Sequence, residues 1–190
     1  MAASRSRSSA LALLVVVLVA AAAFAPASAQ LPTIYDVVSK DGSFNTLTQG
    51  MQKAGLAAAF SNPNLNPKLT CFAPTDAAFA AVAKKFGVTP DVAFGNKNLL
   101  GQVINLHLLP KPLTIAQLLK DPLQDTRASG YKLIATPIGG TPTPTNAQVS
   151  LRNIANPPCP VVKPNMAASN GIVHGINGIL LPFKLPGKKL

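Results

Sequence analysis

Residues 70–79 read TCFAPTDAAF, which is the pattern of a buried strand that turns at a proline into a helix. Thr75 and Asp76 follow the proline, and either side chain can accept hydrogen bonds from the first free N–H groups of that helix. The passage predicts a strand over Lys68–Phe72 and a helix over Asp76–Phe86.

A second informative passage, residues 170–182, reads NGIVHGINGILLP. Asn170 and Gly171 form turns readily, and the residues that follow supply apolar surface for a strand. Pro182 has no N–H group to donate, so it ends strand pairing. The passage predicts a final strand over Gly171–Leu181.

The rest of the chain divides into an early helical part and a late strand part. Apolar residues at helical spacing predict helices over Thr33–Lys40 and Asn98–Leu109, a segment that carries Phe44, Leu47, Met51 and Leu56, and a short helical turn near Thr114–Lys120. Period-two patterns bounded by glycine, proline and asparagine predict strands over Thr126–Ala128, Tyr131–Thr136 and Gln148–Asn153. Helices followed by strands, rather than alternating with them, indicate the α+β class.

The two quoted passages together resemble the two signature boxes of the fasciclin domain, an extracellular adhesion and matrix module. The resemblance covers roughly Leu31 to Pro182. Residues 105–110, NLHLLP, are similar to the family's central motif, with Leu106 where a tyrosine is usual. Asn177 stands where many members carry an aspartate.

The resemblance implies one fasciclin-type domain over residues 31–183, followed by a short basic tail over residues 184–190. It also implies an antiparallel β-wedge beside a helical layer, with both boxes in the core. Phe72, Phe79 and Ile172 are then scaffold residues rather than a binding site.

The N-terminus has the pattern of a signal peptide. Arg5 and Arg7 precede an apolar run from Ala10 to Phe24, and residues 27–29 are the small residues that signal peptidase accepts. The alternative is an uncleaved membrane anchor, but the run is shorter than the roughly 20 apolar residues that span a bilayer. We expect residues 1–29 to be removed, which leaves a secreted protein without a membrane anchor.

The chain is strongly basic, with a formal net charge of +11. A surface with so few carboxylates attracts polyanions over a distance that salt shortens. The alternative role of this charge is solubility in an acidic medium. The densest group of cations is at the C-terminus, where Lys184, Lys188 and Lys189 either extend into solvent or contact an acidic polysaccharide.

Cys71 and Cys159 are the only cysteines. In the oxidising compartment that a signal peptide implies, two such cysteines usually pair, so the sequence predicts a Cys71–Cys159 disulfide. The alternative is a pair of buried free thiols, because cysteine behaves as a small apolar residue.

Residues 139–145, GGTPTPT, form the one low-complexity stretch. Thr141, Thr143 and Thr145 are candidates for O-glycosylation, since such runs in secreted proteins can carry O-glycans. The alternative is an unmodified, stiff, exposed hairpin loop.

The residues that enzyme chemistry requires are not grouped in this sequence. It has no Gly-rich phosphate loop and no metal-ligand spacing, and His107 and His174 are its only histidines. We expect both histidines to be structural, and we expect no enzymatic activity, cofactor or metal. With no Trp and 5% aromatic residues, the chain offers few stacking platforms for nucleic acid.

The resemblance implies a role in cell adhesion, in the extracellular matrix or in a cell wall, with a protein or an acidic polysaccharide as partner. Animal relatives contact integrin through an Asp-Ile pair in the segment that aligns with residues 163–169. Asn165 and Met166 occupy the positions of that pair, and an amide cannot supply a carboxylate to a metal-dependent site, so binding to an animal-type integrin is disfavoured.

The second function considered is an extracellular carrier of a lipophilic ligand. Some microalgal members of the fasciclin family bind carotenoids, and a helical layer over a sheet can enclose an apolar tunnel. The oligomeric state is left open by the sequence.

Overall fold

The computed structural model describes residues 30–87, 95–138, 149–153 and 158–182. The elements below all belong to the compact unit Leu31–Leu190. Outside the described residues lie the predicted leader over residues 1–29, the candidate glycosylation sites Thr141, Thr143 and Thr145, and the tail lysines Lys184, Lys188 and Lys189.

Six helices and seven strands are present in the described part of the chain. The helices are α1 Ile34–Lys40, α2 Asn45–Lys53, α3 Ala57–Phe60, α4 Asp76–Phe86, α5 Lys97–Leu106 and α6 Ile115–Lys120. The strands are β1 Leu69–Pro74, β2 Leu108–Leu109, β3 Leu123–Asp125, β4 Lys132–Pro137, β5 Val149–Arg152, β6 Cys159–Ala168 and β7 Gly171–Ile176. The α+β class is confirmed.

Local signals at helix ends explain where several helices begin and stop. Thr33 and Thr114 cap α1 and α6 with capping boxes, and Thr75 caps α4 by accepting a hydrogen bond from the backbone N–H of Ala78. At the other end of α4, Gly87 has a φ of 69° and forms a left-handed C-terminal cap. The predicted bounds of α4 are those observed.

The seven strands form one sheet in the order β2-β1-β7-β6-β5-β4-β3. β1 and β7 are parallel neighbours, and their register places Thr70 opposite Ile172 and Phe72 opposite His174. The two sequence passages that predicted the fold therefore lie side by side. The wedge is mixed rather than wholly antiparallel, because β1 and β7 run in the same direction while the other paired strands are antiparallel.

Two apolar cores lie on opposite faces of the sheet, because side chains alternate along each strand. Cys71 and Val173 belong to the first core, which the early helices cover with Ile34, Val38, Phe44 and Met51. Phe72 and Ile176 belong to the second core, to which α6 and the strands β4 and β5 contribute Ile115, Leu118, Leu133, Ala135, Val149 and Leu151.

The sheet curls around the second core until its two ends meet. Just after β3, the backbone N–H of Arg127 donates a 2.9 Å hydrogen bond to the carbonyl oxygen of Leu108 in β2. β2 and β3 are the outer strands of the sheet. This bond therefore joins opposite edges and helps to satisfy strand groups that an open edge would leave unpaired.

The predicted Cys71–Cys159 disulfide is absent. Both residues are buried as thiols, which is the alternative that the sequence left open. Cys71 lies in the first core, opposite Val173, whereas Cys159 lies in the second core and packs against Gly178, beyond the end of β7. Side chains on opposite faces of a sheet cannot meet the short Cβ–Cβ distance of a disulfide.

Several predicted bounds are wrong. The helix predicted over Asn98–Leu109 ends at Leu106, and the strand predicted to Leu181 ends at Ile176. A strand over Thr126–Ala128 was predicted, but β3 precedes those residues and they form the turn to β4. The longest of the described strands, β6, was not predicted.

Candidate functional site

A buried polar network joins the two signature strands to the segment before α6. Thr70 of β1 is fully buried. Its hydroxyl group donates to the carbonyl of Lys111, and the hydroxyl oxygen accepts from the N–H of Leu113, both at 2.7 Å. On β7, the Nε2–H group of His174 donates to the carbonyl of Leu113 at 2.8 Å. One side chain from each strand thus fixes the same loop.

Asn165 completes this network from β6. Its backbone N–H donates to Nδ1 of His174 at 3.0 Å, and its side-chain oxygen accepts from the N–H of Ile115 at 3.0 Å. Ile115 is the first residue of α6, so the asparagine supplies a capping bond from a distant part of the chain. Asn165 has a φ of 56°, a left-handed conformation that asparagine tolerates better than most residues. The next residue, Met166, packs against the first core.

His107 has an equivalent role at the end of α5. Its Nδ1–H group donates to the carbonyl of Val103 at 2.7 Å, and its Nε2 atom accepts from the N–H of Leu180 at 3.0 Å. Both ring nitrogens of each histidine thus have backbone partners, which requires neutral imidazoles. The prediction that His107 and His174 are buried histidines satisfied by hydrogen bonds is confirmed.

Burial keeps both imidazoles uncharged. Desolvation lowers the pKa of His107 and of His174 to about 4, against a smaller opposing effect of the hydrogen bonds to Val103 and Leu113. Burial also raises the pKa of the Cys71 thiol to about 12 and that of Cys159 to about 11. These groups are suited to packing and hydrogen bonding rather than to proton transfer or nucleophilic attack near neutral pH.

In the described ranges, no three His, Cys, Asp or Glu side chains are grouped so that they could hold a metal ion. The ring of His174 instead stacks on Phe72, with 5.6 Å between centroids. The same ranges contain no helix that is long and apolar enough to cross a bilayer.

Carboxylates of the described part of the chain are mostly occupied by structural bonds. Asp36 accepts from both the backbone and the side chain of Thr33, which lowers its pKa. Asp41 accepts two hydrogen bonds from Lys163, at 2.9 and 2.6 Å, and these lower its pKa in the same way.

Asp76 is used to cap a neighbouring helix. Its carboxylate accepts from the N–H groups of Asn45 and Thr46, the first two residues of α2, at 3.2 and 2.7 Å. Burial works to raise the pKa of Asp76, but these hydrogen bonds outweigh it and the pKa is lowered. Because the sequence has 17 basic residues against 6 acidic ones, the cations dominate the outer charge.

One face of the strands β3, β4 and β5 is open to solvent. Leu123, Ile134 and Arg152 lie opposite one another in a row across the three strands, and Asp125 pairs with Lys132 in the next row. Leu123 on this face is 49% exposed, and Tyr131, in the turn that precedes β4, is 38% exposed. The other face carries Leu133 and Leu151 into the second core.

Sequence reasoning missed this open face, although period-two alternation in β4 marks Lys132 and Ile134 as outward-facing. Among the residues that the sequence singled out, the structure brings Asn165 and His174 together. It separates the two cysteines, which lie in different cores.

Comparisons with known proteins agree with this architecture. The family model described as the fasciclin domain matches residues 42–182. Protein sll1483 of Synechocystis sp. is 28% identical over 151 residues, which cover 79% of this chain and 73% of the relative. The uncharacterized protein sll1735 of the same organism is 25% identical over 151 residues, which cover 80% of this chain and 98% of the relative.

Among solved structures, a FAS1 domain pair from the insect cell adhesion molecule fasciclin I matches with a TM-score of 0.59 and 16% identity. The match covers 74% of this chain and 46% of that chain, so the present chain spans about half the length of the domain pair. At this identity the likeness shows a shared fold.

Proposed function

The chain belongs to the fasciclin domain family, and from this we propose that it is a secreted, non-enzymatic protein of the extracellular matrix or cell wall. Its partner in this proposal is an acidic polysaccharide or an extracellular protein that its cationic exterior attracts. Fasciclin domains are generally adhesion-type domains that occur in extracellular proteins, which supports the class of function and the location.

The observation that carries the proposal is the excess of positive charge, which amounts to a formal +11. The protein has 17 basic and 6 acidic residues, and Asp36, Asp41 and Asp76 accept hydrogen bonds that hold loops and helix ends. A hydrogen-bonded carboxylate keeps its negative charge, but the 6 acidic residues cannot balance the 17 basic ones. Exposed lysines and arginines therefore set the sign of the long-range field.

The proposal is tested by binding of the purified protein to polygalacturonate, an uncharged glucan and an acidic protein. Binding to polygalacturonate is expected at an ionic strength of about 0.01 M and is expected to be lost at about 1 M, since the Debye length shortens from about 30 to 3 Å. Binding that ignores salt, or equal binding to the uncharged glucan, would contradict the electrostatic basis.

The tail is tested separately with a triple variant, Lys184→Gln, Lys188→Gln and Lys189→Gln. If the tail contributes contacts, this variant binds polygalacturonate more weakly than the parent and with a shallower salt dependence. Unchanged affinity would assign the binding to the domain alone.

Secretion is tested by expressing the full chain in a secreting host and measuring the intact mass of the exported protein. Removal of residues 1–29 is the expected result. Retention of those residues in an extracted membrane fraction would support an anchor instead.

The non-enzymatic assignment is supported by the two neutral, fully hydrogen-bonded histidines. A protein that co-purifies with visible absorbance and shows no polyanion binding would favour the carrier of a lipophilic ligand over this proposal.

A further inference from the structure

We propose that the open face of β3, β4 and β5 is the site that binds the acidic polysaccharide, and that uronate units are its ligand. Arg127, Lys132 and Arg152 define this uronate patch, with Leu123 and Ile134 as its apolar centre. Tyr131 lies at its edge, in the turn before β4. The inference rests on the function proposed above and names the surface that performs it.

The pairing of strands places the charged members of the patch near one end of the sheet. Arg152 lies opposite Ile134, and Lys132 is two residues before Ile134 on the same face of β4. Arg127 and Tyr131 belong to the turn that joins β3 to β4. The topology therefore collects three cations and an aromatic ring around one hairpin end.

The turn holds its shape through its own backbone. The carbonyl oxygen of Tyr131 accepts hydrogen bonds from the N–H of Thr126 at 3.1 Å and from its hydroxyl group at 2.9 Å. The N–H of Tyr131 donates to the carbonyl oxygen of Ala128 at 3.1 Å. The N–H of Arg127 donates a hydrogen bond to the carbonyl oxygen of Leu108. A surface that is ordered before binding loses less conformational entropy when a ligand arrives.

The charge of the patch suits an anion. Arg127 and Arg152 form no ion pair with any carboxylate in the part of the chain that the structure describes. Lys132 pairs with Asp125 at 2.8 Å, but the side chains are 53% and 76% exposed, and exposed pairs are weak. A ligand carboxylate can displace such a pair, and the arginine fork binds carboxylates with two parallel hydrogen bonds.

The apolar centre points to a sugar rather than to an isolated anion. A uronate ring has an apolar C–H face and a carboxylate at its rim, so one ring can cover Leu123 or stack on Tyr131 while its charge faces an arginine. Both of these side chains are more than one-third exposed. A simple inorganic anion would leave that apolar surface in water.

The experiment compares a double variant, Arg127→Gln and Arg152→Gln, with a control of the same net charge, Lys68→Gln and Lys84→Gln. Lys68 and Lys84 are exposed and lie before β1 and on α4. The patch variant is expected to bind polygalacturonate about tenfold more weakly than the control, which is the loss that two exposed charge contacts produce. Thermal melting of each variant checks that the fold is intact.

Tyr131→Ala and Tyr131→Phe test the stacking contact. The phenylalanine variant should bind like the parent, and the alanine variant should bind several-fold more weakly at the same ionic strength. Polyglutamate supplies the same charge without sugar rings. Equal affinity for polyglutamate and polygalacturonate would overturn the assignment of uronate and point to an acidic protein.

The two proposals fail in different ways. If the parent protein binds no anionic polysaccharide, the proposed function is wrong. If the parent binds but the patch variant and the lysine control lose equal affinity, the binding is diffuse, and only the uronate patch is overturned.

Discussion

A single buried asparagine holds three parts of the fold together. Asn170 is fully buried in the turn between β6 and β7. Its side-chain oxygen accepts from the N–H of Ile34 at 2.8 Å, and its amide group donates to the carbonyls of Phe60 and Asn62 at 2.8 and 3.0 Å. The residue thus connects the first helix and the end of the third helix to the strand pair of the signature passages.

Replacement of Asn170 by aspartate is predicted to destabilise the protein by about 2 to 4 kcal/mol. In the aspartate variant, a carboxylate oxygen takes the place of the NH₂ group and faces the carbonyl oxygens of Phe60 and Asn62. All three oxygens are acceptors, so no hydrogen bond forms and the oxygens repel one another. Urea unfolding of Asn170→Asp against Asn64→Asp measures the effect, because Asn64 is exposed. Equal midpoints for the two variants would show that the three bonds contribute little.

Because of the two buried histidines, the free energy of unfolding is predicted to fall in mild acid. An unfolded imidazole takes up its proton near its ordinary pKa of 6.5, whereas the folded ones do so only at about 4. The unfolded state binds more protons between these values, so the free energy of unfolding falls as the pH drops from about 6.5 to 4. The expected loss is on the order of 3 kcal/mol per histidine.

Nuclear magnetic resonance of the imidazole protons, together with urea midpoints between pH 7 and pH 4, checks this prediction. Protonation of His107 would turn an acceptor toward the N–H of Leu180 into a second donor. Asp36, Asp41 and Asp76 have pKa values below 3.8, so their stabilising effect disappears at lower pH. A histidine that titrates near 6.5 in the folded protein would contradict the account.

At the scale of elements, helix ends depend on side chains from other elements as well as from their own. Helix α2 has Phe44 at its N-terminal cap, with no side-chain hydrogen bond from that residue. Asp76 at the start of α4 supplies the missing acceptor. Its negative charge also lies at the positive end of the α2 dipole.

Replacement of Asp76 by alanine is predicted to cost about 1 to 2 kcal/mol, the usual value of an N-terminal cap. The variant Asp121→Ala removes an exposed carboxylate and serves as the matched control. Thermal or urea unfolding of the two proteins gives the comparison. A smaller loss for Asp76→Ala than for the control would contradict a capping role.

Elements with strong local signals were predictable, and those set by distant partners were not. Thr33, Thr75 and Thr114 mark the starts of three helices at the positions observed. β6 contains Pro160 and Pro164, which locally oppose a strand, yet pairing with β7 holds it extended across two register shifts. That pairing is a property of the sheet and is invisible in the segment alone.

At the scale of the whole molecule, the sheet separates the two thiols. Alkylation of the unfolded, unreduced protein is therefore predicted to add two groups, one at Cys71 and one at Cys159, and the native protein should react slowly because both are buried. Intact mass measures both results. An unreduced protein that stays unmodified after unfolding would contain a disulfide, which the observed fold cannot accommodate.

The candidate site was only partly predictable. The neutral histidines followed from their apolar surroundings, and the excess of positive charge followed from composition. Arg127 and Arg152 are far apart in the sequence, however, and come near each other only because β4 lies between β3 and β5. The pairing of Asp41 with Lys163 likewise joins residues that no local pattern connects.

The placement of Asn170 directly before Gly171 also affects how the protein ages. Asparagine followed by glycine is the dipeptide most prone to deamidation. The glycine nitrogen attacks the side-chain carbonyl, ammonia leaves, and water opens the resulting succinimide to aspartate or isoaspartate. In the folded chain that side chain is clamped by its partners, and Gly171 packs so closely on the Leu69 carbonyl that an added Cβ would overlap it. Unfolding removes this protection. An aspartate at position 170 no longer fits the native turn, so thermal unfolding should become irreversible when the protein is held unfolded for a long time.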